Sequence, residues 1–148
     1  MITAPLIKSD LLMLSACKSN LSGQDTEGLL TPIGIGPSFA ADGAKTVVGT
    51  LWACNGFAAL CFSYYFYQIA QTHPKMPWHQ VAAKARIAVR EMRRAEFDTV
   101  IEAFQLEDET DKCWEHLAEM FYAESYFNQP FQRFDYWAGF TVLGEGRR

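Results

Sequence analysis

Leu11-Leu12-Met13-Leu14-Ser15-Ala16-Cys17-Lys18-Ser19-Asn20 is the stretch on which the fold turns. Leu11 to Leu14 is an unbroken apolar run preceded by Lys8-Ser9-Asp10, the pattern of a short strand buried on both faces of a parallel sheet. The chain then turns polar at once, through Lys18, Ser19, Asn20, Ser22, Gly23, Gln24 and Asp25, as a surface loop does. In open α/β sheets, ligand sites lie at such carboxyl ends of strands. Cys17 stands at this junction. There its thiol faces a groove, its own N–H is placed to donate to a substrate carbonyl oxygen, and Lys18 favours the thiolate.

Outward from that strand, Glu27 to Leu30 opens a helix that Pro32, Gly34, Gly36 and Pro37 interrupt. Ser38 is expected to cap a short helix through Ala41, with Gly43 as its stop. Lys45 to Leu51 is β-branched and reads as a second strand, followed by the turn signal Asn55-Gly56. Phe57 to Thr72 reads as a long helix, apolar almost all round and therefore expected to be buried on most faces. Pro74 and Pro77 bracket a turn before a second helix, Trp78 to Arg94, with Val81, Ala85, Ala88 and Met92 on one stripe. Glu96 to Glu124 holds ten of the seventeen acidic residues and is expected to form two helices split near Leu106 to Glu109. Tyr136 to Leu143 alternates weakly, is rich in β-formers and reads as a third strand ending at Gly144. This order spells an α/β layered domain with a mostly parallel sheet.

Composition narrows the function classes. The 148 residues suit one domain, and 49% hydrophobic against 20% charged argues for a packed core. A net charge of -4 argues against nucleic acid as a partner. No Asp, Glu, Lys or Arg lies between Lys45 and Lys75, a length that suits a membrane span. The central Asn55-Gly56 and the polar Ser63, Gln68 and Gln71 instead favour strand, turn and helix, so no membrane partner is expected. Cys17, Cys54, Cys61 and Cys113 form no C-x-x-C pair, and no signal peptide is visible, so a reducing cytoplasm is expected. Gly34-x-Gly36 lacks the remaining residues of a phosphate loop. Cys113-x-x-His116 is half a zinc pattern without a second pair, so neither metal nor cofactor is expected. His73, His79 and His116 read as surface or capping residues.

Several stretches in order resemble one family. These are Leu12-Met-Leu-Ser-Ala-Cys17, Glu27-Gly-Leu-Leu30, Phe39-Ala-Ala-Asp-Gly-Ala-Lys-Thr-Val-Val-Gly-Thr-Leu-Trp52, Phe66-Tyr67 and Tyr136-Trp-Ala-Gly-Phe-Thr-Val-Leu-Gly144. Together they resemble the CHAT family of caspase-like, separase-related cysteine peptidases over most of the chain, with 95–133 as a divergent acidic helical insertion. The resemblance implies a caspase-like three-layer sandwich, its N-terminal strands missing from these 148 residues, so that the first strand carries an unpaired edge. It implies a Cys–His dyad in which Cys17 is the nucleophile and the histidine precedes it in the chain. It also implies a protein or peptide substrate bound by Ser15, Thr50, Leu51, Trp52 and Asn55, with Thr50 to Trp52 pairing with the substrate as an added strand. An upstream helical-repeat or sensor region is the implied partner.

Three departures qualify this expectation. None of the sixteen residues before Cys17 is histidine, so 1–148 is expected to be only the nucleophile half of a peptidase domain, inactive by itself. The family's Leu-Trp is usually followed by Pro-Val-Asp-Asp, whereas here Ala53-Cys54-Asn55-Gly56 carries no carboxylate to favour a basic substrate residue. Thr31 to Pro37 lengthens the segment after the nucleophile loop. The alternative expectation is a catalytically inactive CHAT-fold interaction or regulatory domain.

Overall fold

The computed structural model describes residues 8–14, 35–104 and 128–145. Three strands, β1 (Leu12–Met13), β2 (Thr46–Thr50) and β3 (Phe140–Gly144), form a sheet in the order β1-β2-β3. Among the described residues β1 is therefore an edge strand. The described residues also form five helices: α1 (Ile35–Ala41), α2 (Gly56–Thr72), α3 (Trp78–Glu91), α4 (Arg94–Ala103) and α5 (Phe134–Trp137). The architecture is α/β, as the order of elements implies. Helix α1 packs on β2 and β3, while the opposite sheet face carries Val48, Phe140 and Val142 into the core shared with α2 and α3.

Strand β1 pairs in parallel with β2, Leu12 opposite Val47 and Met13 opposite Val48, and Leu14 N–H donates to the Val48 carbonyl at 2.8 Å. The sheet is mixed where a mostly parallel one is expected: β3 runs antiparallel to β2, Thr50 opposite Phe140 and Thr46 opposite Gly144. The cause lies in α5. Residues 136–138, expected to be strand, form the end of a helical turn held by Ala138 N–H donating to Phe134 O at 3.0 Å. This turn sits beside Trp52, whose Nε1 donates to Asp135 O at 3.0 Å. The chain thus enters β3 at the end of the sheet where β2 leaves, and must run back along it. Gly144 completes the ladder with φ 96°, and a Cβ there would meet the Lys45 carbonyl.

Caps set the helix limits. Gly43, at φ 110°, ends α1 in a Schellman arrangement, with Ala44 N–H donating to Phe39 O and Gly43 N–H to Ala40 O. Ser38 lies inside α1, which begins at Ile35, earlier than its sequence suggests. Helix α3 stops at Glu91 rather than Arg94, because the buried Met92 takes extended geometry and Arg93 N–H donates to Glu96 Oε2 at 2.7 Å to start α4.

Helix α2 is buried along one stripe, Phe57, Ala58, Cys61, Phe62, Phe66 and Ala70, not on most faces. Its other side presents Gln68, Gln71 and Tyr67, the last 49% exposed. The stripe meets Val81, Ala85 and Val89 of α3, and Phe66 stacks on Trp78 at 5.6 Å. The described parts of 95–133 belong to the same core: Phe97 packs edge-on to Phe57 at 5.5 Å and to Phe131 at 5.7 Å. None of the described helices is long and apolar enough to cross a membrane.

Candidate functional site

The parallel pairing brings the carboxyl ends of β1 and β2 to one side of the sheet, at the amino end of α2. Leu14 is the last described residue before Ser15 and Cys17, which lie outside the described residues. The four other expected site residues, Thr50, Leu51, Trp52 and Asn55, are all found at this end of β2 and in the turn that follows it.

Each has a defined setting. Thr50 ends β2 and is buried. Leu51 N–H donates to Gly139 O at 2.9 Å, so that this backbone group is engaged by the segment entering β3. Strand alternation directs the backbone groups of Thr50 toward the opposite, β1 edge of β2, where Val48 O already accepts from Leu14. Trp52 packs against Gly139, where a Cβ would come 2.8 Å from the indole. Its ring centroid is 5.5 Å from that of Phe134, so the indole is fixed from both sides of α5 and its exit turn. Asn55 is the N-cap of α2: its Oδ1 accepts from Phe57 N–H at 2.9 Å and Ala58 N–H at 3.3 Å. Its turn-forming character, visible in Asn55-Gly56, is thus a helix start.

Between these elements lies a cavity of about 130 Å³. Its wall includes Leu14, Val48, Thr50, Cys54, Phe62 and Phe140, of which Phe62 and Phe140 stack at 4.0 Å. Cys54, Phe62 and Phe140 carry no site signal in the sequence. The aromatic pair reads there as ordinary core, and only the fold shows that it floors a cavity. A wider, open groove shares Met13, Gly56 and Ser63 with it and continues along α2 to Tyr64, Tyr67 and Phe104.

The thiols and histidines divide by position. Cys61 is fully buried in α2, and burial pushes its thiol up to about 12, so it is no nucleophile. Cys54 is half-buried, with Sγ 3.6 Å from Trp52 O. His73 caps the far end of α2, and a helix of 17 residues is about 25 Å long, so it is remote from the cavity. His79 lies in the first turn of α3, beside Trp78 and the same far end. His116 and Cys113 lie outside the described residues. Among the described residues no group of three His, Cys, Asp or Glu side chains is arranged to hold a metal ion.

The family model for the CHAT domain matches residues 4–145. No curated protein and no solved structure matches the chain.

Proposed function

Because the chain belongs to the CHAT domain family, we propose that it supplies the nucleophile-bearing part of a caspase-like cysteine endopeptidase, with Cys17 as nucleophile. One observation supports this most: β1 delivers Leu14 to the edge of β2 beside Thr50, next to a cavity that Leu14 and Thr50 both line. Cys17 follows Leu14 by three residues, a tether of at most about 11 Å. A tether of that length lets Cys17 reach the end of the sheet where Thr50, Leu51 and Trp52 gather, which supports the reading.

In this reading the Cys17 thiolate attacks the scissile carbonyl carbon and forms a C–S bond. The C–N bond then breaks, the amine takes a proton from a histidine, and water hydrolyses the thioester to regenerate the thiol. His73 and His79 are at the wrong end of α2 for this task. In this proposal the base is a histidine that the family resemblance places before the nucleophile in the chain, and the setting is cytoplasmic.

The test is hydrolysis of a mixed peptide library by this chain alone and by the chain joined to its upstream coding sequence. The joined protein is expected to turn over substrate and to lose turnover on Cys17→Ala, while the chain alone is inactive. Cys17-dependent turnover by the chain alone would overturn the half-site arrangement. Inactivity of the joined protein would favour a CHAT-fold module that binds a protein without cleaving it.

A further inference from the structure

Between the buried rings of Phe131 and Phe140 the chain runs over the surface. Both ends of this span are pinned. Phe131 is fully buried and packs edge-on to Phe97. Phe140 stacks on Phe62, and Arg86 Nη1 of α3 donates to its carbonyl at 3.3 Å. Gly139 is buried as well, but none of the seven residues 132–138 is. Phe134 is 64% exposed, and α5 is a single turn, too short to persist unsupported. Few contacts tie the span to the rest of the fold. Trp52 Nε1 donates to Asp135 O at 3.0 Å, and the Trp52 ring lies 5.5 Å from that of Phe134. The Arg90 guanidinium of α3 stands 5.5 Å over the Trp137 ring, and Tyr136 meets the anchor Phe131 edge to face. The Trp52 bond is exposed and Arg90 partly so, which keeps each tie weak. Inside the span the bonds are more numerous. Arg133 pairs with Asp135 and lies over Tyr136, Trp137 Nε1 donates to Gln132 O at 3.3 Å, Ala138 N–H donates to Phe134 O, and Phe134 touches Trp137. These contacts travel with the span when it moves.

A segment that is cohesive within, lightly tied without and pinned at both ends has the build of a moving part. We propose that residues 132–138 are a strap that opens and closes as one unit between its anchors at Phe131 and Gly139, and that its closure fixes the Trp52 indole where the chain leaves β2. The acceptor for Nε1 and the ring beside the indole both belong to α5, so opening removes both at once. Closed, Trp52 is a rigid wall. Open, it keeps only its packing against Gly139 and becomes a mobile side chain. The strap acts alike in a peptidase and in a module that binds without cleaving.

Hydrogen exchange read by NMR on the full 148-residue chain tests this. The Trp52 Nε1–H and the Ala138 N–H are expected to exchange through one common opening, which low urea hardly alters because little surface is exposed. The Leu51 N–H is held by the anchor residue Gly139. It is expected to be protected about a hundredfold more strongly and to follow global unfolding. Phe62→Leu, which loosens the core and leaves the strap's ties intact, is expected to speed the Leu51 proton and not the two strap protons. Arg90→Ala, which cuts the tie to Trp137, is expected to speed both strap protons together by about two- to fivefold. The comparison of protons within the unaltered chain stands whether or not either variant folds. Strap protons that respond to urea or to Phe62→Leu as Leu51 does would overturn the proposal. So would Trp52 and Ala138 protons that exchange through unrelated openings, since the span would then not move as a unit.

Discussion

Gly139 has no side chain, and the Trp52 indole occupies the space that one would need. A methyl group there would approach Trp52 Cε2 at 2.8 Å, Nε1 at 2.9 Å and Cys54 Sγ at 3.2 Å. The indole cannot simply swing away, because Nε1 is bonded to Asp135 O. Gly139→Ala is therefore expected to destabilise the chain by about 1–3 kcal/mol, read as a lower urea midpoint. Asn55 offers a cleaner separation of roles. Asn55→Ala is expected to cost about 1 kcal/mol through loss of the α2 cap, and Asn55→Asp to restore it. If Asn55 also binds peptide, Asp recovers the urea midpoint without recovering peptide turnover by the joined protein. Neither role of Asn55 is separable in the sequence, where Asn-Gly marks a turn and a helix start alike. Gly139 is still less legible, because its partner is 87 residues away in the chain.

Among elements, β2 and α2 are readable almost to the residue. The β-branched Thr46-Val47-Val48 sits between charged Lys45 and the turn, and the apolar run after Asn55 has helical length. The burial of α2 is misread for a physical reason. Its aromatic residues Tyr64 and Tyr67 look like core, yet a tyrosine body packs on apolar neighbours while its hydroxyl stays wet. The terminal strand is misread at its start because Phe134, Tyr136 and Trp137 have β-propensity but meet as a helical turn. Phe134 and Trp137 touch edge to face at 5.6 Å, and Tyr136 packs on Phe131 at 5.6 Å. The stacked pair joining α2 to β3 should be the costliest contact between elements to lose. Phe62→Ala is expected to destabilise by about 3–5 kcal/mol in denaturant unfolding, with Phe62→Leu substantially milder.

The molecule as a whole has an alkaline weakness. Cys61 is buried as a neutral thiol, and the fold holds its pKa at about 12 against an ordinary value of 9.0. Between those values the unfolded chain releases a proton that the folded chain keeps, so stability falls as pH rises. The fall should approach about 1.4 kcal/mol per pH unit from this thiol. Tyr65, raised to about 12 mainly by burial, acts in the same direction above pH 10. Cys61→Ala is expected to flatten the decline in urea midpoint between pH 9 and 10, where Tyr65 contributes little. The overall α/β class is legible from the order of elements. The direction of β3 is not, because it depends on which end of the sheet α5 docks against, a tertiary choice that local pattern does not encode.

The antiparallel seam between β2 and β3 also sets an order of events. Val47 finds Leu143 only by closing a loop of roughly a hundred residues, whereas α2 and α3 are joined by a short turn. The helical pair has every reason to form while β2 still lacks that neighbour. In a φ-value comparison, Val81→Ala should slow refolding, and Val142→Ala should mainly hasten unfolding. Until β3 arrives, one flank of β2 remains an open template, so the refolding yield should fall with concentration during that interval and not after it.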